Sequence, residues 1–167
     1  MEASRRAEPA AQTFLPRWQW SRFADLGVDA LYELLAARQK VFAVEQHCAF
    51  LDADGLDRRA WHLIAWDDGG AHPALAGYLR VIDPGHRFVE PSIGRVLTLA
   101  PHRRTGFGRA LMREGIARTV HAWPGQAIRI AAQQRLEAFY ASLGFRTVSP
   151  PYDEDGIPHV DMLLEAR

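Results

Sequence analysis

The 167-residue sequence predicts a single α/β domain. Three observations carry that expectation. The first half holds short apolar runs of period two, separated by Asp, Gly and Pro turns. The middle switches to helical spacing, with Met112, Ile116 and Val120 at i, i+4 and i+8. Strands and helices then alternate to the end, giving the order β-α-β-β-β-α-β-α-β.

Residues 1–16 are Ala-, Pro- and Arg-containing without a period and read as a flexible tail, leaving 17–167 as the domain. Trp18-Gln19-Trp20-Ser21-Arg22-Phe23 alternates as a first strand. Asp29 is a good N-cap for a helix presenting Leu31, Leu34, Leu35 and Phe42. Residues 49–59 are acidic and aperiodic, hence a loop. Strands are expected at 61–66, closed by Asp67-Asp68-Gly69-Gly70, and at 76–82, closed by Asp83-Pro84-Gly85. A third apolar strand spans 93–99. After the 107–120 helix comes a short strand at 128–130. Leu136, Phe139, Tyr140 and Leu143 then mark a helix capped by Gly144, with Phe145 supplying the apolar contact beyond it. A last strand covers 160–164.

Composition narrows the function classes. Hydrophobic residues are 48% and charged residues 24%, a globular balance. Twenty basic and twenty acidic residues cancel, so the basic excess of a general nucleic-acid binder is missing. No apolar run approaches a membrane span, and no secretory signal is expected behind Arg5 and Arg6. Cys48 is the only cysteine, so no internal disulfide forms; a reducing, cytoplasmic setting is expected. His47-Cys48 has no second pair at ligand spacing, so no metal site is expected.

Charge is segregated. Residues 93–118 carry six Arg (95, 103, 104, 109, 113 and 118) against Glu114 alone. Residues 152–165 carry five acids and no Arg or Lys. The first segment suits an anion and the second a cation. Within the basic segment, Arg103-Arg104-Thr105-Gly106-Phe107-Gly108-Arg109 lies between a strand and a helix. Glycines let the backbone approach a ligand closely, and the helix N-terminus aims amides at a phosphate. Leu111 stands where a dinucleotide fingerprint needs a third Gly, and the Gly-Lys-Ser/Thr of a Walker loop is absent, so both nucleotide motifs fit poorly.

Arg-x-x-Gly-x-Gly after a strand, with Phe139-Tyr140-x-x-x-Gly144-Phe145 on a later helix, resembles the GCN5-related N-acetyltransferase (GNAT) superfamily. The runs Leu31-Tyr32, Val41-Phe42-Ala43-Val44-Glu45-Gln46, Asp52-Ala53-Asp54-Gly55, Gly94-Arg95-Val96 and Glu154-Asp155-Gly156-Ile157-Pro158-His159 are similar to its ElaA-like branch. The likeness covers roughly residues 30 to 165. Arg104 departs from the pattern, since many members carry Gly there. The resemblance implies a mixed, mostly antiparallel central sheet flanked by helices, and an acyl-CoA co-substrate, most often acetyl-CoA. It implies that the backbone of Val96, Leu97 and Thr98 pairs with the pantetheine arm. It also implies that the amides from Arg103 and Arg104 through Thr105, Gly106, Phe107 and Gly108 to Arg109 hold the diphosphate, and that Tyr140 protonates the departing thiolate.

The chemistry makes sense of those residue types. Amine attack on a thioester generates an oxyanion, which a backbone amide can stabilise, and a thiolate, which a phenol of pKa about 10 can protonate. The amine arrives protonated, so a carboxylate or imidazole must relieve it. Glu45, His62 and His159 are the candidates, with Glu45 favoured. No covalent enzyme intermediate is needed. The expected partner is a small-molecule or peptide amine, and the acidic 152–165 run suits a cationic one. The alternative is a non-catalytic acyl-CoA-binding or partner-binding module on the same fold. Oligomeric state, a homodimer included, is not legible.

Overall fold

The computed structural model describes residues 14–166, so most of the expected 1–16 tail lies outside the described residues. Of its last residues, Phe14 packs its ring 5.1 Å from Phe107 and 4.4 Å from His102, centroid to centroid.

One eight-stranded sheet organises the chain. In sequence order its strands are β1 (Arg17–Arg22), β2 (Ala60–Asp67), β3 (Ala74–Ile82), β4 (Ser92–Thr98), β5 (Ile128–Gln133), β6 (Arg146–Thr147), β7 (Tyr152–Glu154) and β8 (Ile157–Leu164). Their spatial order is β1-β2-β3-β4-β5-β8-β6, with β7 also on β8. All pairings are antiparallel except β4 with β5. The helices are α1 (Val28–Arg38), α2 (Phe107–Ala122) and α3 (Glu137–Ala141).

The side-chain alternation of β2 and β3 explains why both read as almost continuous apolar runs. Leu63, Leu79 and Val81 point to one face, where they meet Leu111 and Met112 of α2. Ile64 and Tyr78 point to the other, where they meet Leu34 and Val41. A sheet buried on both faces has no solvent-facing positions to make polar. On the first face α2 sits close: a Cβ on Gly115 would come within 2.6 Å of Leu79 Cδ2.

Several expectations shift. The first helix starts at Val28 after Gly27 (φ +76°), so Asp29 lies in its first turn and makes no cap. Its buried stripe is Leu34, Ala37, Arg38 and Val41, at i, i+3, i+4 and i+7, while Leu35 is exposed. An apolar-periodicity reading skips Arg38 because it is charged, although Arg38 occupies a core position. Beyond Arg38 the chain widens into a π-helical segment, Gln39–Glu45, which carries Phe42 and Glu45. The expected 136–143 helix is a 3₁₀ turn, Gln134–Leu136, running into α3. Gly144 (φ +99°) does terminate it, and the Phe145 amide donates to the Tyr140 carbonyl at 3.2 Å. The 152–165 acidic run is a β7–β8 hairpin turning at Asp155-Gly156, not a lone final strand at 160–164.

Candidate active site

β4 departs from regular pairing on both of its edges. Toward β3, Tyr78 pairs with Leu97 and Arg80 with Gly94, so Leu79 faces both Arg95 and Val96. This is a β-bulge, and Arg95 takes the left-handed φ of +52° that side chains normally avoid. Toward β5, the two strands pair only at Ser92↔Arg129 and then part. A cleft of about 750 Å³ opens in the gap, lined by β4 from Ile93 to Thr98 and by Ile130, Ala131 and Gln133 of β5.

The gap leaves the far edge of β4 unpaired. The Leu99 amide donates to the Ala76 carbonyl at 2.9 Å. By the alternation of an antiparallel ladder, Leu97 bonds to β3 as well, while the peptide groups of Val96 and Thr98 face the gap. Of the Val96, Leu97 and Thr98 set, Leu97 therefore contributes its place in the cleft wall, not free backbone groups. The Thr98 carbonyl accepts from Arg103 Nε at 2.8 Å.

At the C-terminal end of β4 the chain makes the glycine turn. Arg104 (φ +63°) and Gly106 (φ +84°) are both left-handed, and Gly106 caps α2 with nothing within 4 Å of where a Cβ would stand. The left-handed φ at Arg104 explains why glycine suits that position, and this chain carries arginine there at some strain. The Arg109 amide closes the first helical turn onto the Gly106 carbonyl at 3.1 Å. The peptide N–H groups of Arg104, Thr105, Gly106, Phe107 and Gly108 have no backbone acceptor among the described residues. Phe107 anchors the turn with a ring buried against Ala65, Ala76 and Trp18. The Arg109 guanidinium lies over the Phe139 ring, 5.6 Å from its centroid, and bridges α2 to α3.

Tyr140 lines the cleft from α3 and is 7% exposed. Burial pushes its phenol up to about 12, against an opposing pull from Arg135, so the proton stays on at neutral pH. Glu45 reaches the same cleft from the π-helical segment, and its Oε2 accepts from Arg103 Nη2 at 2.7 Å. His159 lines it from β8. His62 does not. It is fully buried, its Nδ1 accepts from the Tyr78 hydroxyl at 2.7 Å, and its Nε2 donates to the Asp57 carbonyl at 2.9 Å. Burial lowers its pKa and keeps it neutral.

Sequence reasoning missed an ionic cluster beneath the cleft. Arg38 donates to Asp52 at 2.7 Å and Asp57 at 2.6 Å. Arg80 donates to Asp57 at 2.8 Å and Asp54 at 2.5 Å. Arg95 reaches the Asp52 carbonyl at 3.2 Å and runs its side chain past the Phe42 and Phe50 rings. Burial alone would raise the Asp54 carboxyl, but the Arg80 hydrogen bond and charge hold it down at about 2. The cluster ties residues 52–57 to β3 and to the β4 bulge. Its one sequence signal was an Asp-rich loop facing Arg residues at core positions, and no local pattern pairs the two.

A split sheet with a bulged inner strand, an anion-ready turn at its mouth and a protonated phenol in its wall makes a cleft that suits an elongated ligand carrying an anionic group. Comparison with known proteins identifies the family. A family model described as the acetyltransferase (GNAT) domain matches residues 37–166. The UPF0039 protein sll0451 of Synechocystis is 43% identical over 147 residues, covering 88% of this chain and 94% of that one. Protein ElaA of Escherichia coli is 35% identical over 150 residues, covering 89% and 95%. The crystal structure of E. coli ElaA superposes with a TM-score of 0.83 at 34% identity, covering 90% of this chain and 100% of that one. An acyl-CoA N-acyltransferase from Pseudomonas aeruginosa gives 0.83 at 37% identity, covering 89% and 99%. The chain belongs to the GNAT acetyltransferase family, in its ElaA-like branch, and its fold is one that supports acyl transfer from an acyl-CoA.

Among the described residues no helix is long and apolar enough to cross a membrane, and no group of three or more His, Cys, Asp or Glu is placed to hold a metal ion.

Proposed function

We propose that the protein moves an acetyl group from acetyl-CoA to a primary amine by direct attack, with both substrates bound together. The β4–β5 gap, with the glycine turn at one end and Tyr140 in its wall, is the observation that carries this reading. The residues present fit the co-substrate. The Arg104–Gly108 amides suit a diphosphate at the positive end of a 16-residue helix, and the open space at Gly106 lets it come close. The Val96 peptide and the Thr98 N–H, which face the gap, suit an amide-bearing arm lying along β4, with the Thr98 carbonyl already held by Arg103. When bound, acetyl-CoA supplies the activated thioester.

The chain's own groups would do the rest. The bulge offers a β4 amide to developing negative charge. Tyr140 holds a proton for the departing sulfur. Glu45, one oxygen bound to Arg103, adds a carboxylate that draws an ammonium toward the cleft. A small molecule and a peptide N-terminus or side chain all meet these requirements as acceptors, and a single cysteine suits a cytoplasmic site of action.

Titration calorimetry with CoA tests the binding half. The wild type is expected to bind, and Gly106→Trp, which forces a large side chain onto a left-handed residue in the turn, to bind at least about tenfold more weakly. Thiol release from acetyl-CoA over an amine panel tests the transfer half. Absence of CoA binding by the wild type ends the proposal. Tight CoA binding with silence across the panel replaces it by a non-catalytic acyl-CoA-binding module.

A further inference from the structure

A primary amine is protonated at neutral pH and must lose a proton before it can attack. Of the three candidates the sequence offered, His62 is sealed in the core with both ring nitrogens bonded, and Glu45 has one oxygen bound by Arg103. His159 is different. Its Nδ1 lies 2.8 Å from the Ile157 carbonyl oxygen. A carbonyl only accepts, so Nδ1 carries the hydrogen and the neutral ring keeps its lone pair on Nε2. Nε2 has no hydrogen-bond partner among the described residues.

The sheet also separates His159 from Tyr140. Gln133 pairs directly with His159, so the two side chains share a face of the β5–β8 ladder. Gln133 Nε2 on that face donates to Gln46 Oε1 at 3.1 Å, just past the π-helical segment. Ile130, Ala132, Val160 and Met162 point the opposite way and pack with Tyr140. The His159 face is closed by the β7–β8 hairpin and residues 48–51, joined where Cys48 Sγ donates to the Asp155 carbonyl at 3.6 Å. Glu154 pairs with Arg87 at 3.2 Å, whereas the Asp155 carboxylate has no ion pair among the described residues. Tyr152 lies alongside the imidazole, centroids 6.1 Å apart, and is fixed by its hydroxyl donating to Asp161 at 2.8 Å.

We propose that this face of the gap is the subsite for a cationic primary amine and that His159 Nε2 accepts its proton. The assignment rests on the acetyl-transfer reading. One N–H proton of the ammonium passes to Nε2 and out to solvent. The nitrogen lone pair bonds to the thioester carbon, giving an oxyanion, and its collapse breaks the carbon–sulfur bond while Tyr140 gives its proton to the sulfur. The second N–H proton, carried by water, restores the phenol. The sum is one ammonium and one thioester giving one amide, one thiol and one released proton.

Two measurements test this. The first is the nitrogen NMR spectrum of protein labelled with 15N at histidine, expected to show the neutral form of the His159 ring as the tautomer with hydrogen on Nδ1 and a bare Nε2. A bare Nδ1 overturns the proposal without any turnover assay. The second compares His159→Gln, His159→Ala and Glu45→Gln over putrescine, spermidine, phenethylamine and a lysine-containing peptide. His159→Gln is expected to lose about 100-fold or more in kcat while its CoA affinity stays within about twofold, and added imidazole to restore part of the His159→Ala rate. Turnover retained in His159→Gln but lost in Glu45→Gln hands the proton to Glu45 and sinks this role alone. A wild type that fails to bind CoA, or binds it and acetylates nothing, takes down the proposed function and this role with it.

Discussion

Two tyrosine–histidine pairs, one within the sheet and one formed by a strand and the helix α3 packed on it, have opposite fates. Tyr78 and His62, on β3 and β2, bond to each other, and the remaining His62 nitrogen bonds to the Asp57 carbonyl. Around them Arg38, Arg80, Asp54 and Asp57 neutralise one another. Tyr140 and His159 flank the β4–β5 gap on opposite faces and both line the cleft, and neither the Tyr140 hydroxyl nor His159 Nε2 has a hydrogen-bond partner among the described residues. Residue type does not separate the pairs. What separates them is whether every donor and acceptor already has a partner, because a saturated group has nothing to give a substrate.

Unbalancing the saturated side is expected to have the largest effect. Asp57→Ala leaves Arg38 and Arg80 short of a shared carboxylate in the core. It is expected to cost about 3–5 kcal/mol in chemical denaturation, the penalty of stranding buried charge. A loss below about 1 kcal/mol would mean water reaches the cluster. On the open side, Tyr140→Phe is expected to lower kcat about 100-fold with CoA affinity nearly unchanged, read by thiol release and calorimetry. Equal turnover removes Tyr140 from the acid role. The matching change, Tyr78→Phe, leaves the His62 Nδ1 without its donor. It is expected to cost about 1–3 kcal/mol of stability and leave CoA affinity intact.

The smallest effect is in the pH dependence of stability. His62 is held neutral in the fold, below its ordinary 6.5, so the unfolded chain takes up more protons and stability declines as pH falls through that value. Asp54, held at about 2 against an ordinary 3.8, stabilises the fold above 3.8 and loses that contribution as pH drops toward 2; Asp57 shifts in the same direction. Denaturant midpoints at pH 8, 5.5 and 3 are expected to fall in two stages. A flat profile between pH 8 and 5.5 would show that His62 titrates freely.

The sequence made one side of this comparison legible and hid the other. The glycine turn, Tyr140 and the Gly144-Phe145 cap are local signals, carried by residues a few positions apart. Strands β2 and β3 announced themselves by apolar runs between Asp/Gly turns. The saturated cluster was invisible because its members come from α1, β3, β4 and residues 52–57, and because Arg38 breaks the apolar stripe it belongs to. The gap itself is a pairing that does not form, and no residue encodes it alone. Arg95 at a positive φ marks the bulge only once coordinates are known. His159 was visible as a candidate, but its tautomer depends on the carbonyl two residues before it.

The widened turn after α1 sets the final condition on the cleft. A π-helical stretch carries more residues per turn than its α neighbour, so Gln39–Glu45 presents Glu45 and Gln46 at angles a regular helix would not give them. Excising one residue there would rotate the rest of the segment by about 100°, swinging Glu45 off Arg103 and Gln46 off Gln133 together. Segment length here, more than side-chain identity, decides which groups look into the gap, and a relative one residue shorter in this stretch would greet its acceptor with a different wall.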